Sequence, residues 1–260
     1  MNAGSDYSPL RQVGRLMGVE LLFDALALLF RFLPGGFLSA SEPAGILAGG
    51  VYGANVYFTW TLRILRMVIW ALILSALSRL EKLGKGFDRA RVWYLLGILF
   101  FVPVDVGASV LVRFYGWIPE SLRGFGLLNV IVFLCFCFSS ETLCFSMGIR
   151  GVLDAAGELV DSFGLERQAK GLRRSAPLVA FLGLLLSAAF SATWLALYWN
   201  SVQSGLLNSP GSPEESDSEA FLFLLLLPLL LLTDLAYFIA RCGAARRLLR
   251  AFRAIRELTE

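Results

Sequence analysis

The chain has 260 residues, 57% of them hydrophobic, with a mean hydropathy of +0.69. A soluble domain carries roughly 45–50% apolar residues, so this composition excludes water as the main solvent. It contains no histidine, which excludes H-E-x-x-H zinc chemistry and Ser–His catalysis. The net charge of +3 gives no nucleic-acid partner, because the positive residues flank apolar runs and form no basic face with interleaved aromatics.

In chain order the apolar residues gather into six runs of about 20 residues, the length that crosses a hydrocarbon core of about 30 Å. They cover about 13–33, 51–77, 92–112, 126–149, 176–199 and 220–240. The expected fold is all-α, a polytopic integral membrane bundle of about six transmembrane helices forming one domain. The first run contains Glu20 and Asp24, so an amphipathic helix lying in the interface competes with the spanning reading there. A cleavable signal peptide is not expected, because those acids interrupt the apolar region and no small-x-small site follows it.

Orientation follows from the lysines and arginines, which are retained in cytoplasmic loops. Arg11 and Arg15 precede the first run. Arg79, Lys82, Lys85, Arg89 and Arg91 follow the second. Arg150, Arg167, Lys170, Arg173 and Arg174 follow the fourth, and Arg241, Arg246, Arg247, Arg250, Arg253 and Arg256 follow the sixth. These are most of the 23 basic residues, while the opposite side holds Arg113, Arg123 and the acids between 214 and 219. Both termini are therefore expected on the cytoplasmic side of a cell membrane.

After the fourth run, Val152, Leu153, Ala156, Leu159, Val160 and Phe163 recur at helical spacing up to Gly164, a helix stop. That helix is expected to continue past the membrane. Lys85–Arg91 and Lys170–Arg174 lead similarly into the third and fifth runs; a basic collar explains both without an internal repeat. The segment 244–260 mixes Leu248, Leu249, Phe252 and Ile255 with arginines and reads as a basic amphipathic helix on anionic headgroups of the inner leaflet. Ser187, Ala188, Ser191 and Ala192 form a small-residue surface suited to close helix packing. The four cysteines show no CxxC spacing, and no zinc, redox or other cofactor motif is present.

Ionisable residues inside a span cost about 2.5–3.5 kcal/mol each on insertion scales, so they should face the interior, find a partner or serve a pathway. In the second run Tyr52, Asn55, Thr59, Arg63, Arg66 and Trp70 fall within an arc of about 80°. Asp105 lies at matching depth in the third, so an Arg63–Asp105 or Arg66–Asp105 pair is expected, with Asp24 as partner for the remaining arginine. Glu20, Glu141 and Asp234 are left in the inner half with no basic residue assigned to them. They are the candidate ion- or solute-binding residues, since carboxylates so placed become protonated or hold a cation; the competing reading is that they pair with arginines of the cytoplasmic collar or hydrogen-bond while neutral. Pro103 and Pro228, each shortly before an acid, add candidate helix breaks.

Two functions fit these residues. The first is a small transporter, or a transport-associated subunit, using the intramembrane carboxylates for a proton, cation or small solute. The second is a non-catalytic structural, regulatory or sensor-like membrane protein whose polar residues stabilise the bundle. No catalytic or metal site is expected in either, and a homo-oligomer or partner subunit is compatible with both.

Overall fold

A computed structural model describes the backbone of residues 7–32, 49–114, 120–206 and 213–259. Side chains are described chiefly for 7–26, 64–84, 86–102, 135–193 and 228–259. Among the described residues the fold is all-helical, with six long helices and no strand: α1 (Ser8–Phe32), α2 (Gly49–Leu80), α3 (Lys85–Phe114), α4 (Glu120–Ser162), α5 (Glu166–Leu206) and α6 (Pro213–Thr259). Each helix packs on the next in sequence, and α1 packs on α6, which closes a ring.

The connections on one side of the ring follow from local chemistry. Gly164 adopts φ 77°, a conformation open to glycine at little cost, and ends α4. The Leu165 N–H then donates to the Val160 carbonyl at 3.3 Å and the Gly164 N–H to that of Asp161 at 2.9 Å. This double bond pattern satisfies carbonyls that the last turn would otherwise leave open. Between α2 and α3 a single 3₁₀ turn, Glu81–Leu83, is clamped to α3 by an Arg91–Glu81 ion pair of 2.6 Å. Pro103 and Pro228 produce no break: α3 and α6 run through both without interruption.

Small residues set how closely α3 and α4 approach. A Cβ on Gly86 would lie 2.7 Å from the Ala155 Cβ, and one on Gly148 would lie 2.7 Å from the Tyr94 ring. Helices with small residues at the contact pack backbone against backbone, and dispersion then supplies the attraction. On the α4–α5 seam the expected small-residue face divides. Ser187 and Ser191 bond Ser139 of α4, at 3.2 Å to its carbonyl and 2.6 Å to its hydroxyl, whereas Ala188 and Ala192 face outward.

The six helices share a bundle with two unlike halves. In one, large apolar side chains are exposed on every helix, among them Leu22, Val68, Leu99, Phe136, Phe181 and Leu232. Among the described residues of that half (16–26, 64–77, 92–102, 132–149, 176–196 and 228–240) no charged side chain is exposed. In the other half the outside carries Lys82, Arg89, Glu158, Arg174, Arg246 and Arg250, and the inside is filled by Leu10, Phe87, Leu153, Leu172 and Leu248, all at 0–1% exposure. Burying one such leucine contributes about 1.5–3 kcal/mol.

Two stretches, Glu166–Thr193 of α5 and Pro228–Thr259 of α6, are long and apolar enough to cross a membrane among the described residues. The other four apolar runs each enter residues whose side chains lie outside the described set. The segment 244–260 needs a correction. Residues 244–259 are the unbroken continuation of α6, and their apolar side chains Leu248, Ala251, Phe252 and Ile255 pack into the bundle rather than onto a leaflet.

Candidate functional site

Glu20 and Asp24 stand one turn apart on α1 and point into the ring. They meet α2 and α6 there. Arg241 of α6, only 9% exposed, reaches both: its Nη2 lies 2.7 Å from Glu20 Oε1 and its Nη1 2.7 Å from Asp24 Oδ2. Asp24 also pairs with Arg66 of α2. One turn along α2, the Trp70 indole N–H donates to Glu20 Oε1 at 3.0 Å, and the Arg66 guanidinium lies over the Trp70 ring at 5.7 Å. The contacts form a closed circuit, Trp70–Glu20–Arg241–Asp24–Arg66–Trp70, that joins three helices with two negative and two positive charges.

The circuit has a reason to be compact. Two adjacent carboxylates, Glu20 buried and Asp24 half-buried, repel, and a single guanidinium offers a planar fork of donors that can serve both. Glu20 is 4% exposed, so its charge depends on these partners rather than on water. Beside them Tyr237 holds the Arg241 guanidinium over its ring at 5.4 Å and shares a 2.7 Å hydrogen bond with Ser146 of α4. Trp70 stacks on Phe145 of α4 at 4.2 Å and meets Phe101 of α3 edge-on at 4.9 Å. Gly183 of α5 leaves the space that Ser146 occupies, since a Cβ there would overlap its hydroxyl. All six helices therefore contribute to one polar and aromatic centre.

Among the described residues, three buried polar atoms in this region have no protein hydrogen-bond partner: Glu20 Oε2, Tyr94 Oη and Arg241 Nε. Tyr94 is 0% exposed and lies within electrostatic reach of both Glu20 and Arg241. Such atoms are costly to leave unmade, about 1–3 kcal/mol each, and they suit a water, a proton or a small polar solute.

Glu20 and Asp24 are in the circuit with Arg66. Glu141 of α4 is buried. Asp234 is half-buried on α6, two turns before Arg241. Glu20, Glu141 and Asp234 do not form a metal-binding cluster: among the described residues no three Cys, Asp or Glu side chains converge as ligands. The side chains of Asn55, Arg63 and Asp105 lie outside the described residues.

Of the three inner-layer acids, Glu20 has a basic partner, Arg241, as the reading that pairs these acids with collar arginines expects. Arg241 follows the apolar run by one position, and that distance alone groups it with the cytoplasmic collar. Its helical phase instead puts it on the inward stripe with Thr233 and Tyr237. Sequence reasoning also misses Tyr94, Ser146 and Tyr237; hydroxyls spaced among aromatics on the inward face are the available signal.

Two surface clefts, each of about 370 Å³, lie in the charged half and include none of Glu20, Glu141 or Asp234. The chain matches no protein-family model, no curated protein and no solved structure. Its function is therefore read from its own geometry.

Proposed function

We propose that the chain is a six-span integral membrane protein with both termini on the cytoplasmic side, and that it acts as a non-catalytic structural or regulatory protein. In this reading the buried circuit locks the membrane half, and the charged half presents a helical surface to the cytoplasm. The supporting observation for the membrane is the apolar belt on all six helices, with charge turned inward. On α5 that belt runs from Leu178 to Leu195, about 26 Å at 1.5 Å per residue, close to the thickness of a hydrocarbon core. At 43, 41 and 47 residues, α4, α5 and α6 exceed that thickness about twofold. They carry the bundle out of the membrane without a hinge.

The observation that favours a structural role is the pairing of the α1 acids with Arg66 and Arg241. A proton or cation carrier needs a carboxylate that can change its partner, and here two carboxylates and two guanidiniums already neutralise each other. Topology is tested by protease protection. Epitopes at either end should be cleaved in inverted vesicles and protected in right-side-out ones; cleavage in right-side-out vesicles overturns the orientation.

A second reading, transport of a proton, cation or small solute, draws support from Glu20 Oε2, Tyr94 Oη and Arg241 Nε, the three atoms without protein partners. Reconstitution in liposomes with a pH-sensitive dye separates the two. Flux in wild type that falls in Glu20→Gln, Glu141→Gln or Asp234→Asn would establish transport. Equal flux in all of them, or none in any, leaves the structural role.

A further inference from the structure

The cytoplasmic ends of α1 and α6 meet over a cleft of about 370 Å³ whose lining is rich in positive charge: among the described residues Arg11, Arg15, Arg253 and Arg256 face it, with one acid, Glu257. Leu249 and Phe252 form its apolar floor, and the Arg11 guanidinium lies 5.9 Å from the Phe252 ring centre, which holds one of the four in place. The two helices can approach because residue 14 is glycine; a Cβ there would come within 3.0 Å of the Leu249 side chain. A second cleft of the charged half makes the contrast. It has the same volume, but Arg89 and Arg173 are matched there by Asp154 and Glu158.

Like charges brought together across two helices cost free energy unless something neutralises them. The ion pairs formed among the described side chains involve none of Arg11, Arg15 or Arg253. We propose that this cleft is a binding site for a phosphate-bearing anion, gripped by guanidiniums from both ends of the chain. Phosphate fits the arrangement better than carboxylate or halide, because several guanidinium forks can bond its oxygens at once and its double charge matches an excess of arginines.

Two sources could supply that group, the headgroup of a polyphosphorylated lipid or a soluble phosphate compound. Arg15 lies four residues, about 6 Å along the axis, below Val19, the start of the apolar belt on α1. Arg253 lies fourteen residues, about 21 Å, below Ile239 on α6. A site spread over that depth suits a headgroup whose phosphates project from the surface, and it is equally open to the cytoplasm. The lipid source rests on the membrane reading above; the soluble source does not.

The test uses the full chain in nanodiscs of phosphatidylcholine alone, titrated with inorganic pyrophosphate by calorimetry, and in nanodiscs that also contain phosphatidylinositol bisphosphate, with thermal stability as the readout. Binding in one arm identifies the source. In that arm Arg15→Gln/Arg253→Gln should weaken binding at least tenfold, and Glu257→Gln should tighten it a few-fold, a gain that misfolding cannot mimic. Arg89→Gln, in the balanced cleft, should change nothing. The proposal is overturned if neither probe binds, if the double variant binds as wild type does, or if Arg89→Gln weakens binding as much.

Discussion

Along α6 the inward-facing residues read Thr233, Tyr237 and Arg241 in the apolar-belted half, then Ala244, Leu248, Ala251 and Ile255 in the charged half. It is a single stripe at helical spacing, and its chemistry inverts part-way down. The outward face inverts in the opposite sense, from Leu232, Leu235 and Ile239 to Arg246, Arg247, Arg250 and Arg253. α1 does the same around Met17, with Leu10 and Val13 inside on one side and Glu20 and Asp24 on the other. The charged half is held by apolar burial, as a water-soluble bundle is. The belted half gains little from turning leucine inward if its surroundings are hydrocarbon, so interior ion pairs, hydroxyl bonds and close backbone packing carry its cohesion.

The largest expected effect breaks the belted half alone. Arg241→Met removes the cation shared by Glu20 and Asp24 and leaves a buried carboxylate without its main partner, a loss of about 3–5 kcal/mol. Unfolding in detergent followed by circular dichroism should show it. A loss below about 1 kcal/mol would mean that the circuit does not hold the bundle. Glu20→Gln combined with Arg241→Met removes charges of both signs and should recover part of the loss, since the penalty arises from the unmatched charge.

Next come the glycines, which sharpen the comparison by acting in both halves. Gly148→Ala forces a methyl group against Tyr94 in the belted half, and Gly86→Ala forces one against Ala155 in the charged half, each at about 1–3 kcal/mol of overpacking. Gly171 and Gly243 sit within helices, and the space that a methyl group would take up at either is open, with no neighbouring atom within 4 Å. Substituting either with alanine should instead stabilise by about 0.5–1 kcal/mol through helix propensity. If all four changes shift the unfolding temperature in the same direction, close approach at the α3–α4 seam is not what those glycines provide.

How much of this is legible in the sequence depends on which physical signal each feature leaves. The all-helical class is readable because long apolar runs and the 3.6-residue recurrence from Val152 to Phe163 are one-dimensional patterns. Gly164 as the end of α4 is readable because glycine after a periodic stretch has a specific conformational reason. The circuit is not readable as a circuit. Arg241 looks like one more collar arginine when only its distance from the apolar run is counted; its helical phase, shared with Tyr237, is what turns it inward. The apolar face of 244–260 suggests a leaflet for a related reason: an amphipathic stripe says that something apolar covers it, without saying whether that is lipid or the neighbouring α1. Ser187 and Ser191 are separable from Ala188 and Ala192 only through the position of α4.

The smallest effects are expected on the outside of the charged half, where water screens what the belted half cannot. The Arg173–Asp161 pair, 2.9 Å long with both side chains more than a third exposed, should contribute no more than about 0.5 kcal/mol, so Asp161→Asn should cost at most that at low salt and nothing measurable in high salt. Asp154 is a finer case. Partial burial raises its carboxyl above the ordinary aspartate range, with Arg150 opposing the shift. An acid whose folded pKa is raised is better accommodated protonated, so folding stability should fall as pH rises from the ordinary value through the raised one, then level off. Asp154→Asn should remove that decline and leave the variant slightly more stable than wild type at neutral pH, with no difference in acid. The opposite slope, a wild type that gains stability over that interval relative to Asp154→Asn, would show that the ion pair with Arg150 outweighs burial and that this cleft is better hydrated than its packing implies.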